Sequence, residues 1–331
     1  MNEPVLKVEH LKKYYPLRRG PFAKDKGGVV KACDDVSFVL YPGETLGIVG
    51  ESGCGKTTTM QSVIRLIEPT GGTITLRGKD FLSMKGEELK QARRKLKLIF
   101  QDPYSSLNPR MTVKELIAEP LDIAGECKTK EERDQRVLET MDQVGLDRSY
   151  VNRYPHEFSG GQRQRIGIAR AIVCRPDVVI CDEPVSALDV SIQAKIINLL
   201  RQLQRDLGLA YIFISHDLGV VRHIADRVLV MYLGRVVEEG TAEALFDHPL
   251  HPYTQALLAS VPRTDRETAP GTTLQGDVPS PADPPSGCLF HTRCPYAAEK
   301  CATEAPELGE ITPGHKCACH FANHLPEKER I

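Results

Sequence analysis

Eight consecutive residues, Gly50-Glu51-Ser52-Gly53-Cys54-Gly55-Lys56-Thr57, place three glycines ahead of a lysine and a hydroxyl. In such a loop the glycines let successive backbone N–H groups turn inward around phosphate oxygens, at the positive end of the helix that follows. Lys56 would neutralise charge on the β- and γ-phosphates, Thr57 would ligate Mg²⁺, and Thr58 completes the phosphate-binding set. The context agrees: the apolar run Leu46-Gly47-Ile48-Val49 stands before the loop and a helix-like stretch from Thr58 to Ile67 stands after it. A second group, Val178-Val179-Ile180-Cys181-Asp182-Glu183, delivers two carboxylates at the end of an apolar strand, the edge where ligands of parallel sheets bind. There Asp182 would hold Mg²⁺ through water, and Glu183 would orient and deprotonate an attacking water.

The elements that must carry these groups read as an α/β fold. Short apolar runs rich in β-branched residues (Thr45 to Val49, Leu96 to Phe100, Val178 to Cys181, Tyr211 to Ile214) alternate with longer helix-like segments, which argues for a sheet largely parallel at its centre. Gly161 to Cys174 and Ile192 to Leu207 repeat apolar residues at helical spacing, the second through Ile192, Ile196, Leu199, Leu200 and Leu203. From Pro262 to Gly287 the pattern collapses into Pro, Gly, Asp and Thr, which cannot hold regular ladders. The expected division is an ATP-binding domain over 1–260, a Pro-rich linker over 261–287 and a Cys-rich region over 288–331.

The 331 residues carry 43 Lys+Arg against 44 Asp+Glu, a formal charge of −1, so no general attraction to nucleic acid or anionic lipid is expected. No apolar run approaches the roughly 18 to 20 residues of a membrane span, and Met1-Asn2-Glu3-Pro4 lacks the layout of a signal peptide. The chain therefore reads as cytosolic, with any membrane role peripheral. Of ten cysteines, five (Cys288, Cys294, Cys301, Cys317, Cys319) crowd into the last 44 residues. In a reducing compartment such crowding points to a bound metal rather than to disulfides. Zinc sites favour Cys-x2-4-Cys pairs, a spacing the first three lack, and buried thiols without a ligand are the remaining reading. Cys33, Cys54, Cys127, Cys174 and Cys181 are expected to be small buried hydrophobes.

Phe158-Ser159-Gly160-Gly161-Gln162-Arg163-Gln164, just before a helix and ahead of the carboxylate strand, resembles the signature loop of ABC-type ATPases. The rest of that family's order is present: Gln101 after a strand, Ser186-Ala187-Leu188-Asp189 after Glu183, and His216 after Ile214-Ser215. The resemblance spans about residues 5 to 255; at Phe158 the family usually has Leu. It implies a P-loop ABC-type nucleotide-binding domain with a helical signature subdomain, here followed by a small Cys-rich extension. It further implies that two such domains meet head to tail, each ATP lying between one partner's phosphate loop and the other's signature loop. Ser159, Gly160, Gly161 and Gln162 would then contact the γ-phosphate held by the opposite subunit. His216 would sense that phosphate, Gln101 would reach metal and water, and Tyr15 would stack on adenine.

Around these motifs the sequence is similar to ATP-binding subunits of dipeptide and oligopeptide importers, more to the second of their two paired types. The residues that carry this are Gln101 to Arg110, Tyr154-Pro155-His156-Glu157-Phe158, Glu183 to Val190, His251-Pro252-Tyr253-Thr254 and Gly276 to Pro281. The resemblance implies a paired homologous ATPase subunit, two membrane permeases, an extracytoplasmic peptide-binding protein, and a place on the cytoplasmic face of the bacterial inner membrane. Relatives handle nickel complexes, glutathione and other small solutes, and ABC proteins also include exporters and soluble nucleotide switches acting on nucleic acid. This chain has one cassette and no sustained heptads, unlike the switches. Similar tails in the family hold an iron-sulfur cluster, for which Cys288, Cys294, Cys301 and Cys319 would be the ligands of a [4Fe–4S] group; Cys317 is an extra thiol.

Overall fold

The computed structural model describes residues 3–17, 28–102, 106–260 and 276–322. Parts of the expected linker lie outside these residues, as do Pro103, Tyr104 and Ser105 of the Gln101 to Arg110 run. In chain order the strands are β1 (Leu6–Pro16), β2 (Val29–Leu40), β3 (Thr45–Val49), β4 (Gly71–Leu76), β5 (Lys79–Asp80), β6 (Leu96–Ile99), β7 (Val178–Asp182), β8 (Ala210–Ile214), β9 (Arg227–Tyr232), β10 (Arg235–Thr241), β11 (Gly309–Thr312) and β12 (His315–Cys317). The helices are α1 (Lys56–Val63), α2 (Gly86–Lys95), α3 (Val113–Ala124), α4 (Lys130–Gln143), α5 (Gly160–Ile172), α6 (Val190–Leu207), α7 (Leu218–Ile224), α8 (Ala242–Asp247), α9 (Pro252–Ala259) and α10 (Glu299–Thr303). They divide into two compact units, one of Met1–Lys7, Val39–Thr45 and Ile74–Ser215, the other of Val8–Phe38, Leu46–Thr73 and His216–Ile331.

In the first unit β6, β7 and β8 are parallel, with Leu98 opposite Ile180 and Ile180 opposite Ile212. Val178 to Cys181 and Ala210 to Ile214 are wholly buried, as strands of a parallel sheet covered on both faces must be. Helix α6 turns Ile196, Leu199, Leu200 and Leu203 to the core and its polar face to solvent. Helices α3, α4 and α5 pack together as a helical subdomain. The start of α3 is fixed by a capping box in which Thr112 Oγ1 accepts from Glu115 N–H and the Glu115 carboxylate accepts from Thr112 N–H.

The second unit holds the strand order β11-β12-β10-β9-β3. Strand β3 runs parallel to β9, with Ile48 opposite Leu229, whereas β9, β10, β12 and β11 pair antiparallel in turn. The Cys-rich end is thus not a separate bead: β12 lies along β10, with Glu238 opposite Cys317, and covers an edge that would otherwise expose its N–H and C=O groups. The elements differ from the sequence expectation at their ends. Helix α1 stops at Val63, because Arg65 takes a left-handed backbone (φ 54°). Helix α5 stops at Ile172, short of the left-handed Arg175 (φ 47°).

Candidate active site

The phosphate loop is built as its glycines require. Gly50 has φ 150° and Gly55 φ 102°; a Cβ on the first would lie 2.3 Å from Met231 O, and on the second 2.1 Å from Ala32 O. No other residue fits either place. Lys56, at the first turn of α1, is 6% exposed and donates from Nζ to Gly50 O at 2.7 Å and Glu51 O at 2.9 Å, so the ammonium is held against the loop. Ser52, Gly53 and Thr57 are exposed, Gly55 and Thr58 half-buried, and Cys54 buried. Burial raises the Cys54 thiol pKa, which makes it a packing group rather than a nucleophile. Thr57 in the second unit and Asp182 in the first each carry a hard oxygen donor of the type Mg²⁺ takes.

The carboxylate end of β7 has its own geometry. Asp182 closes the strand, and Glu183 follows with φ 46°, a left-handed backbone that a non-glycine residue adopts only under tertiary constraint. Three contacts hold it: Glu183 N–H donates to Ile214 O at 3.0 Å, and the N–H and Oγ of Ser186 donate to Glu183 O at 3.3 and 3.1 Å. Gln101, after β6, donates from Nε2 to Glu183 Oε2 at 2.9 Å, which brings together two residues that the sequence separates by 82 positions. In the same unit Ser159 stands exposed at the head of α5, where its N–H and Oγ both donate to Gln162 Oε1. Gly160 is half-buried, and a Cβ on the buried Gly161 would lie 2.6 Å from Ile192 Cγ2. Phe158 packs edge-on against Tyr150, and Arg163 donates back to Pro155 O at 2.7 Å, which sets the loop's entry.

His216 is exposed just ahead of Asp217, the residue that caps α7. At the expected adenine position, Tyr15 and the preceding Tyr14 differ. The Tyr14 hydroxyl donates to Asp34, and burial together with that contact pushes its pKa up to about 12; the Tyr15 ring is 40% exposed, with Lys13 Nζ 5.0 Å from its centroid.

Cys288, Cys294, Cys301 and Cys319 line one cavity, together with Phe290, His291 and His320. Cys317 does not line it; it sits in β12, 2% exposed. Among the described residues no three His, Cys, Asp or Glu side chains stand close enough to share a single metal ion. The enclosed space between the four thiols is about 10 Å³, the room of a single water molecule. Burial raises the thiol pKa of Cys288, Cys319 and Cys294, the last to about 11, and the neighbouring cysteines add to each shift. Such thiols become thiolates only beside positive charge.

Two links to the phosphate loop were not legible in the sequence. Tyr253, in α9, has its hydroxyl 2.8 Å from Glu51 N–H, which donates to it; Arg293, in the turn His291–Arg293, forms a bidentate pair with the Glu51 carboxylate. Only the motif around Tyr253 carried a signal, and that signal did not say what it touched.

The fold and the phosphate loop define an ABC-type ATPase. Residues 33–186 match the ABC transporter family and residues 237–301 the oligopeptide/dipeptide transporter C-terminal region, and the chain belongs to this family. It is 53% identical over 323 residues to the oligopeptide transport ATP-binding protein AppF of Bacillus subtilis, covering 96% of this chain and 98% of that one. It is 52% identical over 317 residues to a putative peptide import ATP-binding protein of Brucella ovis, covering 96% of this chain and 97% of that one. Among solved structures, the dimeric post-hydrolysis state of the ATP-binding cassette MJ0796 bound to ADP and Pi aligns with TM-score 0.63 and 29% identity, over 72% of this chain and 98% of that one. The cbiO1 component of the Clostridium perfringens ABC transporter complex cbiONQ gives TM-score 0.64 and 26% identity, over 75% and 92%.

Proposed function

We propose that this chain is the ATPase subunit of a dipeptide and oligopeptide importer, hydrolysing ATP at an interface shared with a paired homologous subunit. The single observation that carries the chemistry is the Gln101–Glu183 contact on a constrained backbone, which aims a carboxylate for water activation. Lys56 and the loop amides bind the phosphates, Tyr15 stacks on adenine with its exposed ring, and His216 contacts the γ-phosphate. Thr57, Gln101 and Asp182 hold Mg²⁺, which offsets phosphate charge when bound. Ser159, Gly160, Gly161 and Gln162 are offered to the nucleotide on the paired subunit. The peptide assignment is supported by the names of the relatives and by the matching C-terminal region.

Among the described residues no helix is long and apolar enough to cross a membrane. In this reading two permeases supply the pathway, fed by an extracytoplasmic binding protein, and the chain docks peripherally on the cytoplasmic face of the inner membrane without a nucleic-acid partner. Residues 1–260 serve as the ATPase and 288–331 as a tail, joined by 261–287. Cys288, Cys294, Cys301 and Cys319 hold an iron-sulfur cluster that braces this tail. Glu183→Gln should keep ATP binding and lower turnover by about 10²- to 10⁴-fold, the usual contribution of a general base; turnover near the wild-type rate would assign the base elsewhere. Iron and sulfide should both appear in anaerobically purified protein, and a folded sample lacking them rejects the cluster.

A further inference from the structure

Glu51 places a carboxylate inside a loop whose work is to bind a polyanion. Left alone, that charge would repel the triphosphate, by an amount that matters in a partly desolvated site. The structure answers it from 242 residues away. Arg293 Nη1 donates to Glu51 Oε2 at 2.7 Å and Nη2 to Glu51 Oε1 at 3.0 Å, a fork-to-fork pair in which the Arg293 side chain is 5% exposed and that of Glu51 23%.

The guanidinium is itself fixed. Its centre lies 5.9 Å from the ring centroid of Tyr232 and 6.0 Å from that of Phe290, and Nη1 is 3.4 Å from the Tyr232 hydroxyl. Tyr232, Tyr253 and Phe290 pack on one another with centroids 4.7 to 5.4 Å apart, and Tyr253 accepts the Glu51 N–H. The turn bearing Arg293 is tied down by the Arg293 N–H, which donates to Phe290 O at 3.0 Å, and by the 2.8 Å contact of His291 Nδ1 with Cys288 O. A lysine could match the charge, but not the planar two-point grip.

We propose that Arg293 is a positioning residue of the ATP site: it neutralises Glu51 and turns its carboxylate away from the nucleotide, so that the Cys-rich tail sets the nucleotide affinity of its own chain. The inference rests on the phosphate loop being the ATP site, and wild-type ATP binding tests that premise separately. Equilibrium binding of Mg-ATP to the full chain reads the effect. Arg293→Gln should raise Kd about tenfold, because an uncompensated carboxylate then faces the phosphates. Glu51→Gln combined with Arg293→Gln should bring Kd back to within about threefold of Glu51→Gln alone, since no charge remains to neutralise. A merely structural arginine would give no such recovery. A folded Arg293→Gln protein with unchanged Kd overturns the proposal, as does a loss that the double variant leaves undiminished. Should Arg293→Gln fail to fold, Arg293→Lys decides: it keeps charge but loses the fork, so Kd should rise severalfold, and wild-type affinity overturns the proposal.

Discussion

His251 shows how much a short motif can hide. Its Nδ1 accepts the Tyr253 N–H and caps α9, Pro252 occupies the first helical position where an N–H is not needed, and Tyr253 reaches the phosphate loop. The sequence marks His251-Pro252-Tyr253-Thr254 as a pattern, but its partners lie far off in the chain and leave no periodic trace. Behind it Glu238, wholly buried, accepts from Leu250 N–H and His251 N–H and pairs with His315 Nε2 at 2.8 Å. Burial lowers the His251 pKa from 6.5 to about 4, against the opposing pull of Glu238. Above pH 6.5 the imidazole is neutral folded or unfolded. Between 6.5 and 4 the unfolded chain binds a proton that the native state refuses, so stability falls as pH falls, by about 3 kcal/mol across the window. Melting curves over this range should show the decline, and His251→Asn should flatten it; an unchanged slope would mean other groups cause it.

At the scale of elements, the sheet was the most legible part. Runs of β-branched residues such as Thr45 to Val49 fold as β3, and the run from Val178 gains only Asp182. Those strands are buried on both faces, so hydrophobicity alone marks them. The short strands β11 and β12 escaped notice: Gly309–Thr312 and His315–Cys317 carry no run or alternation, and their pairing with β10 is set by tertiary contacts. Their existence also separates Cys317 from the four cavity cysteines, which spacing alone did not do. Helix α5 yields a sharper test. Because Gly161 abuts Ile192, Gly161→Ala should cost about 1–3 kcal/mol through overpacking, as denaturant unfolding would measure. In the assembled ATPase pair it should also slow hydrolysis of the nucleotide held by the paired subunit more than that held by its own phosphate loop, as labelled single-turnover assays would report. Slowing confined to its own nucleotide would remove the signature loop from a shared site.

For the whole molecule, the exposed Ser159 and the exposed Ser52 and Gly53 are surfaces that a two-subunit site would bury on closure. Scattering from Glu183→Gln protein saturated with Mg-ATP, alone and mixed with the homologous ATPase subunit proposed to pair with it, should report a doubling of mass that ADP does not support. No association in either sample would end the shared-site reading. The tyrosine at the loop entrance carries a further consequence. The Glu51 amide proton is already engaged by an internal hydroxyl, so under the proposed ATP role the ring of donors around an incoming phosphate would begin at Ser52. The anion seat would then be one amide narrower than the loop's length suggests, its first amide tied to helix α9.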